Sequence, residues 1–470
     1  MTASEASPEI TLPHDPLHAD KAFFGHPKGL AFLSAVEGCE RFSYYSMQTL
    51  LVLYMTQYLL LPAQFHTVIG LGWLQKHWFN GLEGQPLASE IFGTYTSLVY
   101  LTPIFGGLIA DRLLGRRATL VAGGIIMALG HFLMAIQGAF LFALLALIVG
   151  VGLFKGNIAS QVGELYKPSD MRRAMAFQLF YIAINVSVII APPITGTLGQ
   201  RVGWHWGFGA AGVVMALGLI VYVIALPWLP KDAPRGKARQ AAQKSGHVGA
   251  FSRKDLPRLA ALAVLVPVLA VSLLPNQQIS NVYLVWGDAR FDLTLFGFAM
   301  PSTWLVGIDA GVSFFMLVAV AVFWKLFERR YGWQPDDLAK MAIGSVFTVA
   351  GSLCLVAAAA SDGPHKISLV LPLLFHTLNG IGFAIIMPVS LALFTKVAPR
   401  ALNATVVGIY YLAFVATNYA VGVIGGLYSS ISTEAFWMIH VGAAAIGLVA
   451  FTVLKPILSG TLASIDAEVD

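Results

Sequence analysis

The sequence predicts an all-α membrane protein of twelve transmembrane helices in two six-helix bundles, and three observations carry that expectation. Charged residues make up 11% of the 470 residues and hydrophobic residues 57%, with a mean hydropathy of +0.73, whereas a typical soluble protein is roughly 25% charged. Such a chain has too little polar surface to stay in water. Its apolar residues also gather in runs of about 20, the length that a bilayer crossing demands. Finally, the runs fall six and six about one polar stretch, 230–257, which begins LPKDAPRGKARQAAQKSGHVG and reads as a linker.

Taken in order, a tail over 1–28 precedes a first bundle over 29–229, with spans near 29–60, 88–111, 117–137, 140–165, 173–199 and 206–229. The connection 61–87 contains HTVIGLGWLQKHWFNGLEGQ, whose Trp73 and Trp78 suit an amphipathic segment resting at the interface. The second bundle, 258–460, has spans near 259–287, 303–327, 340–361, 367–397, 402–430 and 434–458, and a tail over 461–470 follows. The opening MTASEASPEITLPHDPLH lacks a basic region followed by an apolar core, so no signal peptide is expected.

Placing the N-terminus inside assigns 23 of the 29 Lys and Arg residues to the cytoplasmic side and only Lys76, Arg201, Arg290 and Lys366 to the other. Positive charge favours the cytoplasmic face, so both termini are expected there, in a multi-pass protein of a bacterial inner membrane. The same asymmetry accounts for the net charge of +5 without a nucleic-acid partner.

An ionisable residue inside a span costs about 2.5–3.5 kcal/mol on insertion scales, so each one calls for a partner or a task. The first span holds Glu37, Glu40 and Arg41 in VEGCERFSYYSM. Spacings of three and four put them on one helix face, with acid N-terminal to base. One cation cannot neutralise two carboxylates. Either one Glu is protonated or a second cation reaches in, and Lys155 in VGLFKGNIAS is the candidate. A proton-linked site and a purely structural knot are the two readings. Tyr44 and Tyr45 prolong the polar face by a turn. Asp309, in STWLVGIDAGVSFF, is the only acid within the spans of the second half, and snorkelling to the interface is its plainer role. His131, His376 and His440 are isolated imidazoles for which packing or bundle hydrogen bonds are expected, and Cys39 is expected to pack.

No nucleotide-binding loop, GxSxG, HExxH or CxxC occurs, so no enzyme, cofactor or metal site is expected. GGLIADRLLGRR bridges the second and third spans. In it Gly106 and Gly107 permit close helix contact, and Asp111, Arg112, Arg116 and Arg117 suit a charge network that gates the cytoplasmic side. Two six-helix bundles joined by a linker suit a rocking transporter whose substrate sits near the bilayer midplane.

The string Glu37-x-x-Glu40-Arg41-Phe42-x-Tyr44-Tyr45 resembles the first-helix signature of the proton-dependent oligopeptide transporters of the major facilitator superfamily. GGxxADRxxGRR is similar to that superfamily's loop motif. Tyr166 through Arg172 and Arg173, then FQLFYIAINVSVIIAPPITGTLG and GWHWGFGAAG, are similar to the family's fifth and sixth helices; PSTWLVGID, KMAIG and TKVAPR echo the second half.

The resemblance implies proton-coupled import of di- and tripeptides by alternating access, by a monomer in the bilayer. It implies proton coupling by Glu37, Glu40, Arg41 and Lys155, with Lys155 paired to a seventh-helix acid. It also implies a substrate pocket of tyrosines and asparagines, for which Tyr44, Tyr45, Gln48, Tyr54, Lys155, Asn185, Asn276, Gln277, Trp304 and Asp309 are the candidates. Four positions depart from the family pattern. Gln48 stands where the family has an Arg, LLPNQQISN offers only Asn276, Gln277 and Gln278 where it has an acid beside a Gln, Phe383 replaces a tenth-helix Glu, and Asp309 replaces an eighth-helix Asn. The linker is too short for the two extra helices of many bacterial members. Asp309 is therefore expected to be the acid of the second half, receiving a peptide amine or a proton. The alternatives are a proton-coupled carrier of another small polar solute and a transporter-like receptor with weakened coupling.

Overall fold

The computed structural model describes residues 20–167, 170–232, 256–295, 297–398 and 402–463. Most of the expected tails over 1–28 and 461–470, and most of the linker over 230–257, lie outside the described residues. The rest is almost wholly helical. The long helices of the first half are α1 (Lys28–Tyr54), α2 (Gly84–Leu101), α3 (Arg116–Leu133), α4 (Phe140–Glu164), α5 (Arg172–Thr197) and α6 (Trp204–Ala225). Those of the second are α7 (Leu256–Ser272), α8 (Trp304–Tyr331), α9 (Asp337–Ala360), α10 (Val370–Val397), α11 (Asn403–Gly426) and α12 (Thr433–Ala463).

Among the described residues nine helical stretches are long and apolar enough to cross a membrane, and a tenth joins them if Leu256–Ser272 and Leu274–Ser280 count as one bent span. The two long helices outside that set are α1, with Glu37, Glu40 and Arg41, and α3, which opens on Arg116 and Arg117. Polar content explains both. Nearly every residue of α1 from Val36 to Tyr54 is buried, so its charges face protein rather than lipid. It packs against α5 and α6, where Gly38 leaves room for Ser187 and Gly218 for Cys39. The Cys39 thiol is free.

The seventh span departs from the continuous helix expected near 259–287. After α7 the axis bends by 46°, and the chain proceeds through Leu274–Gln277 and a 3₁₀ turn, Gln278–Ser280, to a last helical piece, Val282–Arg290. Pro275 has no N–H to donate, and Asn281 adopts φ −118° and ψ −112°, outside the helical region. The break leaves Asn276 and Gln277 free of the regular helix face. A hairpin of β1 (Thr294–Leu295) and β2 (Phe298–Ala299) then leads to α8. The connection at 61–87 folds as the short helices Pro62–Phe65 and Leu71–His77, leaving Trp73 and Trp78 each 65% exposed.

In GGLIADRLLGRR the two glycines differ. A Cβ on Gly106 would sit 1.9 Å from the Gly152 carbonyl oxygen of α4, whereas one on Gly107 would meet open space. Only Gly106 therefore makes the close approach expected of both. Gly106→Ala should destabilise the first half by about 1–3 kcal/mol through overpacking, read as a lower unfolding midpoint in detergent, while Gly107→Ala should leave it unchanged.

The halves meet through α2 against α11 and α5 against α8. Gly93 faces Gly422 so closely that a Cβ would lie 2.5 Å from the Gly422 Cα, and a Cβ on Gly196 would strike the Thr303 hydroxyl at 2.0 Å. Both contacts lie toward the side away from the termini.

Candidate functional site

Between the halves lies a cavity of about 300 Å³. Helix α1 contributes Arg41, Tyr45 and Gln48 to its wall, α2 Tyr100, α4 Lys155, and α5 Tyr181 and Asn185. The opposite wall comes from the broken seventh span through Asn276 and Gln277, from α8 through Asp309 and Ser313, and from Phe383, Tyr411 and Phe414. Cations thus stand on one side and a carboxylate on the other.

The i, i+4 spacing on α1 does what its geometry allows. Arg41 Nε donates to Glu40 Oε2 and forms an ion pair with Glu37 Oε1 at 3.2 Å, and the guanidinium lies 5.3 Å from the Tyr44 ring centroid. All three charged residues are buried, Glu40 completely. Among the described residues Glu37 Oε2, Glu40 Oε1 and Arg41 Nη2 have no hydrogen-bond partner. A buried group left so is costly unless it changes protonation or meets a ligand.

Lys155 does not make the expected ion pair with these carboxylates. Its Nζ lies 4.7 Å from the Tyr100 ring centroid, and the seventh-helix stretch expected to hold its acid offers only Asn276, Gln277 and Gln278. That helix does carry an acid, Asp288, one residue beyond the end expected for the span. Asp288 works elsewhere. Gln57 Nε2 donates to its Oδ2 at 2.7 Å, Gln200 Nε2 to its Oδ1 at 3.0 Å and Ser302 Oγ to the same Oδ1 at 2.6 Å. Thr303 Oγ1 donates to Gln200 Oε1 at 2.9 Å, and Trp304 Nε1 to Thr197 Oγ1 at 2.9 Å. These bonds join the halves on the side away from the termini. Asp288→Ala should loosen that closure: hydrogen bonds to a charged group contribute about 1.5–3 kcal/mol each. Labelling of a Gln277→Cys thiol from that side, in a background without Cys39 and Cys354, should rise about tenfold.

Seven of the expected substrate residues line the cavity: Tyr45, Gln48, Lys155, Asn185, Asn276, Gln277 and Asp309. Three do not. Tyr44 turns away with its ring edge on Tyr45, Tyr54 is buried among Phe140, Trp204 and Phe208, and Trp304 belongs to the contact with Thr197. The wall residues missed from the sequence, Tyr100, Tyr181, Tyr411 and Ser313, sit on helices apolar enough that no local signal marks the cavity face.

Asp309 does not snorkel. Its Oδ1 accepts from His376 Nδ1 of α10 at 2.8 Å, and its side chain remains 15% exposed. The expected gate residues contact their own half. Arg116 pairs with Glu164 and, at 3.9 Å, with Asp111, while Arg117 Nε donates to the Pro230 carbonyl at 2.8 Å. Arg112 lies with them on the turn Ala110–Leu114. The network braces α3, α4 and the end of α6. On the same face Arg172 Nη2 donates to Asp170 Oδ2 at 2.8 Å, a bond that holds the Asp170 carboxyl below its ordinary range.

The family model described as the POT family matches residues 117–254 and 250–441. The chain belongs to the POT family. A peptide transporter from Yersinia enterocolitica is 30% identical over 86% of this chain and 89% of its own length. An uncharacterized transporter from Bacillus subtilis is 29% identical over 94% and 97%, and a di-/tripeptide transporter from Lactococcus lactis 28% over 93% and 97%. Among solved structures, a crystal structure of the peptide transporter POT in complex with sulfate matches with a TM-score of 0.79 at 26% identity, covering 94% of this chain and 96% of that one. As a POT-family protein with the same fold, the chain is a membrane transporter of major facilitator architecture, and its cavity lies between the two halves.

Proposed function

We propose that this protein is a proton-coupled symporter that imports di- and tripeptides by alternating access. The observation that carries the reading is the charge layout of the cavity, with Arg41 and Lys155 on the first-half wall and Asp309 on the second-half wall. A zwitterionic peptide presents a carboxylate and an ammonium at opposite ends, and tyrosines and amides between them suit its backbone. A volume of about 300 Å³ lies at the lower end for small-molecule sites. The names of the Yersinia and Lactococcus relatives agree with this substrate class.

Glu37, Glu40 and Arg41 are the proton-coupling group of the first half. Protonating one carboxylate leaves Arg41 with a single counter-ion, which frees the guanidinium to face a substrate carboxylate. Asp309 is the acid of the second half. With both termini cytoplasmic, as the distribution of Lys and Arg indicates, the side sealed by Asp288, Gln200 and Trp304 is external. Arg112, Arg116, Arg117, Asp111 and Gly106 then brace the cytoplasmic end of the first half, and gating acts by rocking of that half.

A second reading rests on two wall residues. Gln48 offers hydrogen bonds but no charge, and Phe383 adds apolar surface, so the cavity also suits another small polar solute. Uptake of labelled dialanine into proteoliposomes, with and without an inward proton gradient and a negative-inside potential, tests the proposal. Gradient-driven accumulation supports it. Failure of dipeptides to compete, where single amino acids or other small solutes do, favours the second reading.

A further inference from the structure

Three histidines lie fully buried in the spans, and their surroundings set one apart. His131 hydrogen-bonds Ser43 through Nε2 but leaves Nδ1 without a partner, and His440 uses Nδ1 on its own helix, at the Phe436 carbonyl 3.0 Å away, leaving Nε2 without one. His376 has both ring nitrogens engaged. Nδ1 lies 2.8 Å from Asp309 Oδ1, and Nε2 lies 2.7 Å from the Tyr283 hydroxyl of the Val282–Arg290 helix.

The two partners suit two protonation states. With a neutral imidazole, Nδ1–H donates to the Asp309 carboxylate and Nε2 accepts from the Tyr283 O–H. With an imidazolium, Nδ1–H still donates to Asp309, while Nε2–H donates to the Tyr283 oxygen, whose own proton turns aside. Each nitrogen keeps its hydrogen bond, and the pair passes from a net charge of −1 to 0. Asp309 opens onto the cavity, so the chain of groups reaches the transport path at one end and is sealed among Phe291, Phe375 and Trp437 at the other.

We propose that Asp309, His376 and Tyr283 form a second proton-binding site, in the second half of the transporter, that supplies the titratable group missing from Asn276, Gln277 and Gln278 of its seventh helix. The groups facing it can be named. Asp309 comes from α8 and Tyr283 from the seventh span, while α9 meets α10 here through Gly351, packed on Phe375 and Asn379, with Cys354 one turn away. Helix α11 approaches α10 further along, where the hydroxyl of Tyr410 meets Ser390 at 3.2 Å. Arg41 and Lys155 stand across the cavity. The site joins three helices that move with the second half, so its charge bears on how that half closes over the cavity.

The proposal deepens the symport reading and rests on it in one respect. A substrate ammonium and a proton on His376 are both cations presented to one carboxylate, so each weakens the other's hold on Asp309, and a proton taken up here favours release of the amine. By reciprocity, the amine must lower the proton affinity of His376.

The test is imidazole ¹⁵N NMR of the full-length protein in nanodiscs, labelled at its eleven histidines, with the His376 signals identified by their loss in His376→Asn. The expected result is conversion from neutral to imidazolium form as the pH is lowered. Its midpoint should fall by about one pH unit or more in Asp309→Asn, which removes the counter-ion, and should move less in Tyr283→Phe, which removes a hydrogen-bond partner from both protonation states. An imidazole that stays neutral throughout, or one whose midpoint is unchanged in Asp309→Asn, overturns the site. Saturating dialanine should also lower the midpoint. If His376 titrates as expected without dialanine but dialanine shifts nothing, the proton site stands and the peptide-amine reading falls.

Discussion

Glu40→Gln should reduce accumulation of dialanine driven by a proton gradient more than tenfold, while exchange of dialanine across the membrane without a gradient should persist. The reason lies in the arrangement on α1. Glu40 is fully buried, one of its oxygens accepts from Arg41 and the other has no partner among the described residues. Glutamine keeps the size and the hydrogen bond to Arg41 but cannot gain or lose a proton, so the helix packs as before and the carrier function goes. Arg41 retains Glu37 at 3.2 Å, which removes the excess of acid that makes a proton bind. Intact exchange would show that the variant folds and still rocks. Accumulation at the level of the unaltered protein would show that the pair on α1 is a structural knot, and that coupling resides elsewhere.

Asp309→Asn should raise the dialanine concentration for half-maximal exchange about tenfold to a hundredfold, because a charge-assisted contact contributes about 1.5–3 kcal/mol. The substitution is nearly isosteric, and the amide oxygen it introduces can still accept from His376 Nδ1, so loss of packing does not account for the change. Measuring exchange at two pH values separates two roles: loss of affinity marks an amine contact, and a changed pH profile marks proton binding. Unaltered transport with unaltered pH dependence would sink both. Asp309→Glu, which keeps the charge, should recover part of the affinity.

Much of this site was legible along the chain. The spacing of Glu37, Glu40 and Arg41 forces one shared face on any helix, and Arg41 does bridge both acids. Asp309 stood out because it is the one acid set several residues inside an expected second-half span. Other readings failed for definable reasons. Tyr54 is an aromatic on the same helix as Tyr45, but nine residues of helical rotation and the ring of Phe140, Trp204 and Phe208 carry it into the first-half core. Asp288 escaped notice because hydropathy ends the seventh span one residue before it, whereas the helix runs on to Arg290. His376 looked like a packing residue, since its partners Tyr283 and Asp309 lie 93 and 67 positions away.

Immersion in a bilayer, the order of the apolar runs, and the acid–base triplet of α1 were determined by the sequence alone, because each follows from composition or from spacing within a single helix. The tertiary structure decided which residues face the cavity, that Asp288 closes one side of it and that Asp309 meets His376. The physical reason is that helices such as α8 and α10 are apolar on almost every face. Their periodicity carries no phase, so the rotation and tilt that bring two polar side chains within about 3 Å are set only when the helices pack.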